Sequence, residues 1–246
     1  MRRRILVDLF SGKGGVAAAC KRRGITTETY EIEHGPQYDL TKSNVVDGLV
    51  ARIRTRQIRM VMLATPCTSF SIARDRTCPI RSRRQPWGLP GLSDKDKGKI
   101  LVGNACARST IRIMQACVEA NTPCILENPA TSRIFYLPPI RRLVRKNPNC
   151  VDTVISDFCM FGTRWRKRTK FICINCAKEA LPGLAKQCSG PPGFCSRSHS
   201  RHLQLTGSAP CGVPWTRIAQ PCPLKLCEAI ANIFDRSLPA RPCQHT

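Results

Sequence analysis

Residues 4–20, RILVDLFSGKGGVAAAC, decide the fold. RILVDLF is a short, nearly unbroken apolar run, the pattern of a strand buried on both faces of a parallel sheet. A glycine-rich turn follows, and GVAAACKRRG (15–24) then reads as a short helix closed by Gly24. Strand, tight turn and helix in direct succession open a βαβ unit, and the rest of the chain repeats the alternation. TTETYEIE (26–33), RMVMLA (59–64) and PCILE (123–127) read as strands. SNVVDGLVARIRTR (43–56), with a Ser-type start, and a long segment around 100–121 read as helices. CVDTVISDF (150–158) and TKFICI (169–174) are further strands, and PLKLCEAIANIFDRSL (223–238) is a terminal amphipathic helix. The expected class is α/β with a mostly parallel sheet. A core over 1–171 is followed by a small Cys/His-rich insert over 172–212, and 213–246 carries a helix that packs back on the core.

Composition narrows the function. The chain has 246 residues, enough to bury a substantial core, and carries a net charge of +24 from 40 Lys and Arg against 16 Asp and Glu. Such an excess attracts a polyanion, most often nucleic acid, the alternative being a solvated basic surface or an import patch such as RSRR (81–84). MRRRILVDLF begins like an export signal, but Asp8 interrupts an apolar stretch already shorter than the ~7–15 residues required. No run approaches the ~18 apolar residues of a membrane span, so no membrane partner is expected. The reading is an intracellular protein, nuclear if eukaryotic. Its 16 cysteines are then reduced, each a packed thiol, a metal ligand or a catalyst.

In open parallel sheets, chemistry gathers beyond the carboxyl ends of the strands. Three such ends carry unusual residues: DLFSGKGG, TPCTSFS and LENPATS. Gly12-x-Gly14-x-x-Ala17 fits a dinucleotide-binding turn, with Glu31 at the distance of an acid for ribose hydroxyls. A bare tight turn is the alternative, and the glycines alone do not separate a nicotinamide cofactor from S-adenosylmethionine. No Gly-Lys-Ser/Thr closes the stretch, which argues against a phosphate loop.

In order and approximate spacing, these three segments resemble the cytosine carbon-5 methyltransferase family over residues 4–171, most specifically at Pro66-Cys67 and Glu127-Asn128. FGTRWRKRTKF (161–171) and the Cys-Glu-Ala-Ile-Ala helix resemble a compact branch of it. The resemblance implies a Rossmann-like methyltransferase fold with S-adenosylmethionine as cofactor. It assigns Phe10, Ser11, Gly12 and Gly14 to the cofactor turn, with Asp8 behind it and Pro66 beside it. Glu31 takes the ribose acid's place, with Glu33 a close rival, and Asp39 lies near the adenine.

The implied reaction asks for these residue types. Carbon 5 of cytosine is a poor nucleophile until a thiolate adds to carbon 6, the role of Cys67. A free thiol is only about 3% ionised at pH 7, so nearby cations help. Glu127 hydrogen-bonds the ring nitrogen and exocyclic amine, burial favouring its protonated form, while Asn128 fixes that loop. In duplex DNA the base must be flipped out. Where the family has an arginine pattern, GTRWRKRTKF puts Trp165 and Thr169 at two motif places and shifts Arg166, Lys167 and Arg168 by one. Any one of the three is a candidate for the cytosine carbonyl. Arg166 and Arg168 are assigned to it and Lys167 to phosphate, the alternatives being that all contact phosphate only or that the carbonyl contact is missing. The long loop 65–99 carries Arg74, Arg76, Arg81, Arg83, Arg84 and Trp87, suited to phosphate contact and one stacking interaction. DNA is the expected partner, with RNA as the alternative. The rival classes are a catalytically inactive nucleic-acid-binding module of mobile-element origin and a nicotinamide-dependent oxidoreductase.

The insert suggests zinc as a second cofactor. Cys173-x-x-Cys176 has knuckle spacing, and Cys188, Cys195, His199 and His202 follow, more candidates than a tetrahedral ion needs. One set pairs the knuckle with Cys195 and His199 or His202, Cys188 being the alternative. If CINC instead ends a core strand, the set is Cys188, Cys195, His199 and His202. Incidental Cys and His in a cysteine-rich loop is the bland reading.

Overall fold

Side-chain alternation along the first strand sets the layers. In β1 (Ile5–Leu9), Leu6 points to one side of the sheet while Val7 and Leu9 point to the other, and all three are fully buried. The computed structural model, which describes residues 5–72 and 78–237, repeats this at β3 (Met60–Leu63), where Met60 and Met62 join Leu6 while Val61 and Leu63 join Val7. The Leu6 side is covered by α1 (Gly15–Arg22) and by a helix near the end of the chain (Leu224–Arg236). The Val7 side is covered by α2 (Ser43–Arg54), α3 (Asp94–Glu119) and α4 (Pro138–Lys146). The whole is a Rossmann-like α/β sandwich.

With β2 (Thr26–Tyr30), β4 (Cys124–Pro129), β5 (Val151–Asp157) and β6 (Arg168–Ile174), the six strands lie in the order β2-β1-β3-β4-β6-β5. β1 pairs in parallel with β2 and β3, and β3 with β4, so three carboxyl ends share one edge, as expected. β6 runs antiparallel to both β4 and β5, and therefore presents its beginning, not its end, at that edge. No α-helix separates β5 from β6, which rules out the crossover a parallel pair would need.

Several boundaries differ from the sequence reading. α3 begins at Asp94, where Ser93 caps it by accepting the Asp96 N–H, so the loop expected over 65–99 is shorter. α2 begins after Lys42 with no side-chain cap. α4, not foreseen, starts on consecutive prolines, whose fixed φ suits a first helical turn. β6 continues past residue 172 to Ile174, so the insert begins after the strand. A short helix, α5 (Trp215–Ile218), precedes the long terminal one, α6 (Leu224–Arg236). Among the described residues, no helix is long and apolar enough to cross a membrane.

Candidate active site

The chain leaves β1 for β2 on one side and returns to β3 on the other, so a crevice opens at the carboxyl ends of β1 and β3. The turn after β1 borders it. Phe10, Gly12 and Gly14 all have left-handed backbone, with φ of 57°, 51° and 63°. A Cβ added at Gly12 or Gly14 would meet no atom within 4 Å, so this stretch of backbone faces open space. Gly15 serves a different need, because its Cβ would come 3.0 Å from Cys227 Sγ on α6. Buried Ser11 Oγ has no hydrogen-bond partner.

Two acids brace the turn. Asp8 is buried behind it and accepts the Ala17 N–H at 3.2 Å. Burial raises its carboxyl to about 7, opposed by the Ala17 bond and reinforced by the negative charge of Glu31. Glu31 follows β2 and caps a short 3-10 turn, one oxygen taking the Ile32 N–H at 3.1 Å and the other the Gly12 N–H at 2.8 Å. Its rival Glu33 lies exposed in that turn. Ile32, next to Glu31, is 54% exposed, an apolar surface that sequence reasoning missed. Asp39 accepts the Thr41 hydroxyl at 2.6 Å and its N–H at 2.9 Å, and these bonds hold its carboxyl below the usual range.

The ends of β3 and β4 are tied to each other. Asn128 Nδ2 donates to the Thr65 carbonyl at 2.7 Å, and the Thr65 and Thr110 hydroxyls are 2.7 Å apart. Pro66 is exposed, and Cys67, half-buried, begins a turn in which its carbonyl accepts the Phe70 N–H. Glu127 is buried; its Oε1 has no hydrogen-bond partner, and Lys167 Nζ lies 3.6 Å from it. Lys167 also donates to the Gln220 carbonyl at 3.3 Å and sits over the Phe158 ring. Burial pushes the Cys67 thiol up, Lys167 pulls it down, and Glu127 pushes it up again; the net shift is upward. The expected activating cation is present, and burial outweighs it. The segment before α6 closes over this corner, where the Cys222 thiol, raised chiefly by burial, feels Glu127, Lys167 and Asp8. Sequence reasoning missed that return.

The arginine stretch divides differently from the sequence reading. Arg166 donates to Asp157 at 3.1 Å and to the Cys188 carbonyl at 3.0 Å, and Arg168 donates to Gln187. Both expected carbonyl ligands are thus engaged away from Glu127, while Lys167, assigned to phosphate, stands beside it. Register and alternation explain the exchange: β6 pairs Phe171 with Glu127, and the sheet face these two share runs back through Thr169 to Lys167, while Arg166 and Arg168 take the opposite face. Trp165 Nε1 and Thr169 Oγ1 are buried without partners.

Arg81 is a second correction. Expected on phosphate, it is 2% exposed and donates to Ser69 O (3.0 Å), Ser69 Oγ (3.0 Å), Pro86 O (2.6 Å) and Asn104 Oδ1 (2.8 Å). Its guanidinium lies 3.8 Å over Phe70, and burial lowers its pKa to about 10. Gly103 makes the room, since a Cβ there would fall 2.1 Å from Ser69 Oγ. Trp87 is half-buried against the core, its carbonyl held by Asn104. Arg83 and Arg84 are exposed as expected, and Arg74 and Arg76 lie outside the described residues. A cavity of about 690 Å³ beside Ala130 is lined by Tyr136, Arg141, Arg142, Arg145 and Lys170, cations not singled out from the sequence.

The metal-ligand expectation is also redrawn. Cys173 and Cys176 are buried at the end of β6 in the α1–α6 layer, so the knuckle spacing belongs to packed thiols. Cys188, Cys195 and His202 do come together, joined by Cys159 from the turn after β5, while His199 is exposed outside the group.

No family model and no curated protein matches the chain. Among solved structures, it is similar to the Entamoeba histolytica methyltransferase EhMeth (13% identity, TM-score 0.42, 70% of this chain and 53% of that one). It is likewise similar to the S. pombe methyltransferase Dnmt2 (13% identity, TM-score 0.40, 70% and 50%). A third is an E. coli prophage protein assigned as a DNA modification methyltransferase (13% identity, TM-score 0.42, 80% and 52%). The chain spans about half the length of these structures.

Proposed function

We propose that the chain methylates carbon 5 of cytosine in a nucleic acid, DNA in the first instance, through a transient bond from Cys67 to the base. The observation that carries this reading is the meeting of Cys67, Glu127 and Lys167 at one strand-end corner, with Asn128 tying the two loops together.

S-adenosylmethionine, when bound, supplies an electrophilic methyl group. The fit rests on the open space at Gly12 and Gly14, the unpartnered Ser11 hydroxyl and the exposed apolar face of Ile32. Glu31 and Asp39 offer carboxylates to hydroxyl and amine groups at the same crevice, and Asp8 holds the turn from behind.

On the base, the Cys67 thiolate forms the Sγ–C6 bond while Glu127 gives a proton to the ring nitrogen, leaving C5 electron-rich. C5 then takes the methyl group, its new bond forming as the methyl's bond to the donor sulfur breaks. Loss of the C5 proton to water, return of the ring-nitrogen proton to Glu127 and breakage of the Sγ–C6 bond restore the aromatic ring and the thiolate. Lys167 favours the thiolate and stands where a cation can meet the base carbonyl. Around this corner, exposed Arg83 and Arg84, with Arg141, Arg142 and Arg145 at the nearby cavity, offer charge to phosphates.

The test is covalent capture. Oligonucleotides carrying 5-fluorocytosine, in DNA and in RNA, are incubated with the protein and cofactor, because fluorine at C5 blocks release of the thiol. A denaturation-stable complex that forms with wild type and not with Cys67→Ala is the expected result, and the nucleic acid that gives it identifies the substrate. If neither forms one, the reading fails.

A further inference from the structure

Of residues 185–203, all described, only Cys188 and Cys195 are buried, and the segment contains no helix or regular strand. Its core consists of those two thiols, Cys159 and part of Met160. That is too little apolar surface to hold a chain segment in one conformation. The segment nonetheless follows a detailed path. Gly190 sits so tightly that a Cβ would lie 2.5 Å from the Phe194 carbonyl, and His202 N–H reaches back to Gly193 O at 2.7 Å.

The four side chains at its centre have the chemistry that would supply the missing constraint. Cys159 Sγ, Cys188 Sγ, Cys195 Sγ and one His202 nitrogen all lie within 4.8 Å of one another, and Cys188 Sγ is 3.8 Å from His202 Nε2. Zinc–sulfur bonds of about 2.3 Å and zinc–nitrogen bonds of about 2.0 Å in a tetrahedron put ligand atoms about 3.5–3.8 Å apart, so only small closure is needed. The Ser196 N–H points at Cys188 Sγ at 3.3 Å, the kind of outer contact that steadies a ligating thiolate.

We propose that Cys159, Cys188, Cys195 and His202 bind one structural zinc ion that fastens the 185–203 segment to the turn after β5. Three sulfurs and one imidazole in a closed tetrahedron suit zinc and exclude the hard, oxygen-seeking cations. The fastening continues towards the arginine stretch: Asp157 accepts both the Cys188 N–H (2.8 Å) and Arg166, Arg197 donates to Cys159 O (2.7 Å), and Leu203 N–H donates to Arg164 O (2.8 Å). The ion therefore sets the base on which the segment leading to Lys167 rests.

The experiment is metal analysis by mass spectrometry on full-length protein purified without chelator or added metal. About one zinc per chain is expected, falling below about a tenth in Cys195→Ser and in His202→Ala, and unchanged in His199→Ala and Cys211→Ser. Should the ligand variants fail to fold, wild type exchanged with cobalt(II) gives the same information, as the intense thiolate charge-transfer band of a tetrahedral three-sulfur site. The proposal is overturned by less than about half an equivalent of zinc in wild type, by iron in its place, or by zinc retained in folded ligand variants. A cobalt spectrum without that band, or a disulfide between Cys188 and Cys195 in unreduced protein, overturns it equally. None of these readouts depends on methyl transfer, so the site and the proposed reaction stand or fall separately.

Discussion

The strand-end corner and the 185–203 segment both gather thiols and polar groups, yet they are built on opposite terms. Cys67 and Glu127 take their positions from β3 and β4, whose apolar residues from Met60 to Leu63 and from Cys124 to Leu126 are buried between two helical layers. Cys188 and Cys195 have no such support and form their own small core with Cys159. A change at the corner should therefore strike rate and spare the fold, whereas a change at the thiol cluster should strike the fold first.

The largest expected effect sharpens that contrast. Cys67→Ala should lower turnover by at least about a thousandfold while cofactor affinity and melting temperature stay near wild type, measured by methyl transfer, calorimetry and thermal denaturation. More than a few per cent of residual turnover would mean the thiol is not the nucleophile. Glu127→Gln should cost ~10²–10⁴ in kcat, the usual worth of a positioned proton donor. Lys167→Met should cost about tenfold near pH 7, because it removes the influence that lowers the Cys67 thiol. The sign is visible in the pH–rate profile. Activity should climb with pH as the raised thiol ionises, and the climb should move to higher pH in the variant.

Asp8 tests the contrast from the other side, as a corner residue that should affect stability. Its folded carboxyl titrates near 7, against about 3.9 in an unfolded chain. Between these values the native state binds more protons than the unfolded one, so its contribution is full below pH 4 and is lost as pH rises through 7. Asp8→Asn should remove that slope, worth up to about 4 kcal/mol, read as denaturant unfolding at pH 5 and pH 8. Arg81→Met should cost about 3 kcal/mol by stranding the Ser69 and Pro86 carbonyls, without altering the salt dependence of DNA binding. The smallest effect belongs to exposed Arg83 and Arg84. Replacing each should reduce the log–log salt slope by about 0.9 if it contacts one phosphate, and leave stability alone. An unchanged slope in both would remove this loop from the interface.

How far the sequence could be read follows the same division. The strands whose ends form the corner were legible because buried parallel strands are near-continuous apolar runs, and Gly12 and Gly14 mark a turn that needs left-handed backbone. The direction of β6 was also available in principle, since ten residues without a helical pattern between β5 and β6 leave no room for a crossover. Preferring Lys167 to Arg166 and Arg168 needed the register as well, with Phe171 opposite Glu127, and direction alone does not supply it. Arg81 was not legible. Its burial depends on a gap opposite Gly103, on a helix that follows it in the chain, and no local pattern encodes that gap. Cys159 was hidden for a similar reason, lying on a core turn far in sequence from Cys188 and Cys195. The start of α3, by contrast, is encoded locally, in the Ser93 side chain that accepts the Asp96 N–H.

The contact between α1 and α6 carries a consequence for how the protein comes to be folded. Gly15 meets Cys227, and Arg22 pairs with Glu228, residues 206 positions apart. Closing so long a loop is entropically expensive before any reward arrives, so this layer should assemble late, after β1, β3 and β4 have found one another. The turn that faces the crevice begins α1 and is backed by that layer. In refolding from denaturant, helical circular dichroism should therefore recover in an early phase and cofactor binding only in a slower one. A nascent chain, likewise, cannot complete the crevice until residue 236 has emerged.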